Sequence, residues 1–291
     1  MTTDTPRTSP AISIGMPVYN GADFLSEAVH SLLEQTFTDF ELIISDNGST
    51  DTTEVICRAF AEQDSRVRYV RQAKNLGAAG NFLFVLSQAR APYFMWAAHD
   101  DVWDRNWISE LLPIARKKHC VAFGRVQTID AGSNTVEHPV NHRDLSFTGP
   151  RLARRMKYYL FPSFRGRANT IYGIYPKDIL TPYVQERFRA DHHAADVLMM
   201  YRVLENCEIV AGTDVTFSKR RPVPRPPEAA PIALNRKKPF RHTMLTEFLP
   251  ESSRLERILL IFLYPIATLS ITSLKLSYQI RRSIRHATKR R

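Results

Sequence analysis

Disulfide chemistry is the first thing the sequence excludes. The 291 residues include three cysteines, Cys57, Cys120 and Cys207. An odd, widely scattered set without ligand spacing builds neither a disulfide framework nor a zinc site, and it reads as reduced core thiols of a cytoplasmic protein. Residues 1–10 have no apolar h-region, so no signal peptide is expected and the first half stays in the cytoplasm. Acidic residues are missing from Arg257 to Arg291, where Lys275, Arg281, Arg282, Arg285, Lys289, Arg290 and Arg291 crowd the end. Much of the formal net charge of +11 therefore sits in that tail. A basic end beside an apolar stretch points to an anionic membrane surface. Nucleic acid is the competing partner, but binding a strand needs aromatic and basic residues interleaved, and no aromatic follows Tyr278.

What is present reads as alternation. The hydrophobic share of 44% suits a chain with a full core. Strands are predicted over Ala11–Val18, Phe40–Ser45, Val67–Val70 and Tyr93–Ala98. Helices fall between them: one carrying Phe24, Leu25, Ala28, Leu32 and Leu33 near a 3.6 period, one over Thr52–Ala61 and one over Ala78–Ala89. Strand–helix alternation implies an α/β fold, a parallel sheet covered on both faces. The loops Tyr19–Gly21, Asp46–Asp51 and His99–Asp101 each follow a strand, so they share one rim, where open α/β sheets bind ligands. Two hard carboxylates at such an edge, Asp100 and Asp101, suit a divalent cation that also holds phosphate oxygens, or else cap the next helix. Asp46 can accept an imide N–H or close an Asx-turn. Tyr19 can stack on a base or simply pack.

Three segments then carry a resemblance. Pro17-Val18-Tyr19-Asn20-Gly21, Glu41-Leu42-Ile43-Ile44-Ser45-Asp46-Asn47-Gly48-Ser49-Thr50-Asp51 and Trp96-Ala97-Ala98-His99-Asp100-Asp101 resemble the ordered signatures of family 2 glycosyltransferases over residues 11–115. The resemblance implies the GT-A fold, a Rossmann-like, mainly parallel sheet with helices on both faces. It implies a nucleotide-diphosphate sugar donor, UDP- or dTDP-linked, and Mg²⁺ or Mn²⁺. Pro17, Tyr19 and Asp46 would surround the base, with Asn20 and Ser49 in the same donor-binding set. Asp100 would lie at the ribose and diphosphate, and Asp101 would ligate the metal. His99 stands where the family usually has an acid and is expected to hydrogen-bond rather than ligate. A nucleotidyltransferase making an activated sugar is the rival enzyme, but Tyr19-Asn20-Gly21-Ala22-Asp23 is not its Gly-rich basic loop.

The second half is less regular. A helix is expected over Arg105–Lys118, with Pro113 as a possible kink, then a strand over Val121–Ile129 and a polar loop over Asp130–Phe147. A helix opened by Thr148-Gly149-Pro150 carries Arg151, Arg154, Arg155 and Lys157, read as a solvated basic face. Asn169–Tyr175 resembles the family's strand-turn near the acceptor site, with Gly173 allowing close backbone approach. Ahead of an apolar helical face (Val197, Met200, Tyr201, Leu204), Asp196 stands where the family keeps its general base; as an isolated acid it would simply favour a helix N-terminus. Ala195 replaces the usual acidic neighbour, and Asp191 is the runner-up base, with His192 and His193 beside it. The expected organisation is a disordered lead-in (1–10), a glycosyltransferase domain (11–220) with a nucleotide-sugar half (11–115) and an acceptor half (116–220), a Pro-rich linker (221–250) and a membrane-associating tail (251–291). The charge-free stretch Ile258–Leu274 is expected to lie in a membrane interface, with a core-packed helix as an alternative. The implied protein is an inverting, metal-dependent glycosyltransferase with a saccharide or lipid-linked acceptor, peripheral at the inner face of the plasma membrane.

Overall fold

A computed structural model describes residues 9–180, 195–221, 248–250 and 252–265. Strands β1 (Ile12–Val18), β2 (Phe40–Asp46), β3 (Val67–Arg71) and β4 (Tyr93–Trp96) alternate with helices α1 (Ala22–Leu33), α2 (Thr53–Gln63) and α3 (Gly77–Ser87). Every residue of β1 and β2 is buried, as expected where helices cover both faces of a parallel sheet. The sheet order is β3-β2-β1-β4-β7, with β7 (Tyr175–Pro176) antiparallel at the edge. Parallel register pairs Val18 with Asp46 and Gly15 with Trp96. β1 and β2 therefore end level with one another while β4 ends opposite Gly15, and all three polar loops leave the sheet on one rim. β4 stops at Trp96, two residues before the expected end.

A second sheet, β5-β8-β6, follows: β5 (Val102–Trp103), β6 (Val121–Ile129) and β8 (Ile209–Arg220). Helices α4 (Trp107–Lys118), α5 (Arg151–Leu160) and α6 (Ala195–Asn206) complete this half. Pro113 lies inside α4 without ending it. Trp107 is fully buried, with its ring against Phe123 and Phe217 at centroid distances of 5.5 and 6.1 Å. These aromatic contacts fasten α4 onto β6 and β8. The architecture is α/β, with mostly parallel pairing and helices on both sides.

Three expectations change. Residues Arg167–Tyr172 form a 3₁₀ turn rather than a strand, after which Ile174 bridges Ala122 of β6 and Tyr175–Pro176 pairs with β4. Gly173 is tight as expected: a Cβ there would meet the Ala122 carbonyl at 2.9 Å. The basic face of α5 is not simply solvated. Arg155 is completely buried, 3.3 Å from Glu256 and 4.1 Å from the Tyr201 ring centroid. Glu205 of α6 pairs with the same guanidinium at 3.2 Å, and Glu256 belongs to a helix over 254–265. Ser253 and Glu256 form a reciprocal capping box at its start: Ser253 N–H donates to Glu256 Oε2 at 2.7 Å and Glu256 N–H to Ser253 Oγ at 3.4 Å. Phe248 and Leu260 are buried, so the first part of the expected tail packs on the catalytic core. Leu255, Ile258, Ile261 and Phe262 remain exposed on the other side of that helix. The lead-in over 1–8, most of the Pro-rich stretch, the residues after 265 and the trio Asp191, His192 and His193 lie outside the described residues.

Candidate active site

The rim is stitched together by its own backbone. Asn20 adopts a left-handed conformation (φ 48°), which suits asparagine in a tight turn. Its N–H donates to Ser49 Oγ at 2.9 Å, and its Oδ1 accepts the Thr50 N–H at 2.9 Å. Gly21 N–H donates to Thr53 Oγ1 at 2.9 Å. Asn20 and Ser49 thus join the loop after β1 to the loop after β2. His99 closes the third side: a Cβ on Gly21 would sit 2.6 Å from its ring, so glycine is what lets the loops touch. Pro17 is buried in β1, and Tyr19 is half-buried beyond its end.

Asp46 is fully buried and heavily used. Its Oδ1 accepts the Ser49 N–H at 2.8 Å, closing the Asx-turn that its position allowed. Its Oδ2 accepts the Tyr69 hydroxyl at 3.0 Å and Arg71 Nη1 at 3.2 Å. A carboxylate offers about four acceptor sites, and three of them are used within the protein.

Asp101 differs. It is 1% exposed; its Oδ1 accepts the Arg220 N–H at 2.7 Å, while Oδ2 accepts no hydrogen bond. Lys219 Nζ stands 3.5 Å from Oδ2. Burial raises the Asp101 pKa to about 6; Lys219 opposes the rise and Asp100 adds to it. A buried carboxylate oxygen without a donor fits one ligand position of a hard cation. Among the described residues no third acid, His or Cys joins Asp100 and Asp101 in a group that could hold a metal. His99 packs against Gly21 instead of converging with them.

Asp196 opens α6, half-buried, with its Oδ1 accepting the Val197 N–H at 2.7 Å. Burial raises its pKa, against the Val197 N–H, Lys219 and Arg167. Tyr172 places its ring 5.0 Å from the Lys219 ammonium and 5.2 Å from the Phe217 ring. Burial pushes its hydroxyl up to about 12, Lys219 counteracts, and Asp101, Asp100 and Asp196 all add to the rise. One side chain therefore feels the two aspartates from the end of β4 and the one from α6. The cleft combines clustered acids, a lysine and an aromatic hydroxyl.

Sequence reasoning missed Tyr172, Lys219 and Arg220. Arg220 is buried and holds the loop in place: its Nε donates to the Asp100 carbonyl at 2.8 Å and its Nη1 to the Asp130 carbonyl at 2.8 Å, and its Nη2 pairs with Glu27. The available signal was alternation near the end of β8, where Val215 and Phe217 are buried.

The Glycosyl transferase family 2 model matches residues 13–174, more than half of the chain. Glycosyltransferase GlyG of Streptococcus pneumoniae is 34% identical over 137 residues, 47% of this chain and 46% of that one. The putative teichuronic acid biosynthesis glycosyltransferase TuaG of Bacillus subtilis is 32% identical over 111 residues, 38% of this chain and 44% of that one. The matched segments span less than half the length of these relatives. Among solved structures, S. aureus TarS in complex with UDP superposes with a TM-score of 0.56 at 17% identity, covering 72% of this chain and 60% of that one. That likeness is one of fold, and the fold is of the GT-A kind.

Proposed function

The chain belongs to glycosyltransferase family 2, and from that premise we propose an inverting transfer of a sugar from a UDP- or dTDP-linked donor to a hydroxyl of a saccharide or lipid-linked acceptor. The observation that carries the reading is the buried Asp101 at the carboxyl rim of the sheet, whose Oδ2 accepts no hydrogen bond and faces the Lys219 ammonium at 3.5 Å. Asp196 serves as general base. Its raised proton affinity, caused first by burial, moves the carboxyl toward the range where it can take a hydroxyl proton. The acceptor oxygen then attacks the anomeric carbon in one displacement as the bond to the diphosphate breaks. Asp101 and Asp100 would hold Mg²⁺ or Mn²⁺, which when bound supplies positive charge toward the leaving diphosphate. Pro17, Tyr19 and Asp46 would surround the base, supported by the junction that Asn20 and Ser49 make between the two loops at the rim. TarS, of similar fold, holds UDP in one structure and UDP-GlcNAc in another, which supports a nucleotide-sugar donor. The name of TuaG supports an acceptor of the surface-polysaccharide kind.

No described helix is long and apolar enough to cross a membrane. We infer peripheral contact with the inner face of the plasma membrane, supported by exposed Leu255, Ile258, Ile261 and Phe262 next to a tail free of acids.

The test is Asp196→Asn, which keeps the side-chain oxygen that accepts the Val197 N–H but cannot take a proton. Donor binding should persist while transfer falls on the order of 10²–10⁴-fold. Undiminished transfer by Asp196→Asn refutes the assignment, and loss of transfer in Asp191→Asn alone moves the base to Asp191.

A further inference from the structure

Lys219 is the cation that the proposed mechanism leaves without a task. Antiparallel pairing sets Val102 opposite Ser218 and Trp103 opposite Phe217. Continuing that register by one step puts Lys219 across from Asp101. Its ammonium contacts Asp101 Oδ2 at 3.5 Å, a long distance for a charge-assisted hydrogen bond. It also lies 5.0 Å from the Tyr172 ring centroid and 5.8 Å from that of Phe217. Aromatic faces hold an ammonium without using its N–H donors. The side chain is 37% exposed, unlike the buried arginines around it.

The neighbouring arginines cannot take that role. Arg220 is buried and occupied by the Asp100 and Asp130 carbonyls and by Glu27. Arg167 is buried, with Nη1 on the Tyr158 and Tyr159 carbonyls at 2.6 and 2.7 Å. A diphosphate entering a cleft with three carboxylates meets like charge and needs a compensating cation within reach.

We propose that Lys219 is a donor-phosphate ligand, a side chain that can exchange its contact with Asp101 for the diphosphate of the nucleotide. The inference rests on the nucleotide-sugar reading above. A short-range ammonium contact to phosphate acts as a movable point charge, which suits a side chain shared between a carboxylate and an anion.

The experiment is titration calorimetry of the full chain with UDP, dTDP and uridine, each with Mn²⁺ and again in EDTA. Wild type is compared with Lys219→Met, which keeps the stem, and Lys219→Arg, which keeps the charge. Lys219→Met should weaken UDP or dTDP about 10- to 100-fold and leave uridine unchanged, and Lys219→Arg should recover most of the loss. Equal diphosphate affinity in wild type and Lys219→Met overturns this inference alone. An equal loss for uridine, or no recovery by arginine, also overturns it by assigning Lys219 to the architecture of the cleft. A wild-type protein that binds neither diphosphate overturns the donor reading itself and this inference with it.

Discussion

Replacing Asp101 with asparagine should make the nucleotide-free protein more stable at mildly alkaline pH while disabling transfer. The carboxyl is 1% exposed, and burial, opposed by Lys219 and reinforced by Asp100, lifts its pKa from 3.8 to about 6. A group whose folded pKa is raised stabilises the fold only while it is protonated. Its contribution is full below about pH 4, is lost as pH climbs through about 6 and is gone by about pH 8. The difference corresponds to about 3 kcal/mol. Asparagine retains an Oδ1 for the Arg220 N–H and removes the charge. It also removes the counter-charge that faces Lys219, which takes back part of the gain. The net expectation is a stabilisation of about 1–3 kcal/mol near pH 8 and almost none near pH 4. Urea unfolding in EDTA at both pH values, followed by tryptophan fluorescence, measures it. Transfer by the same variant should fall by orders of magnitude through loss of a charged metal ligand. An Asp101→Asn protein less stable than wild type at pH 8, or one with an unchanged pH dependence, refutes the account of a strained carboxylate.

Three other outcomes are expected. Asp46→Ala should raise the donor KM more than it lowers kcat, because base contacts persist through the reaction; it should also cost about 2–4 kcal/mol, since Ser49, Tyr69 and Arg71 lose an acceptor. An unchanged donor KM with normal stability contradicts both halves. Arg155→Met should destabilise by about 3–5 kcal/mol by stranding buried Glu256, and Arg155→Met with Glu256→Leu should recover much of that; a double variant as unstable as the single one shows that the pair is not the cause. Deleting residues 266–291 should leave a folded, donor-binding protein that no longer sediments with anionic vesicles, whereas deletion from Arg254 should also destabilise it by uncovering Phe248 and Arg155; vesicle binding by the shorter chain removes the tail from the membrane reading.

The first hundred residues were legible because each signal there is local. A buried parallel strand is a short apolar run, and its end is marked by turn residues, so Tyr19-Asn20-Gly21, Asp46–Asp51 and His99–Asp101 could be placed on one rim by counting alone. The structure adds that several of these polar groups act first on one another: Asn20 on Ser49, and Asp46 on Tyr69 and Arg71. The same residue types serve a loop that holds itself together and a loop that holds a ligand, and spacing does not separate the two.

The second half resisted for a different reason. Lys219 and Arg220 owe their place to β8, which pairs with β5 more than a hundred residues earlier, and nothing near them in sequence says which aspartate they will face. Arg155 shows the same limit from the other side. On an amphipathic helix with several cations it reads as solvated, and the counter-charges that make its burial tolerable come from distant elements, Glu205 on α6 and Glu256 on the 254–265 helix. Charges whose partners come from distant elements are thus the ones a local reading assigns to solvent. In this chain one of them fastens the C-terminal helix, another fixes the Asp100–Asp101 loop, and a third faces the carboxylate on which the chemistry is proposed to turn.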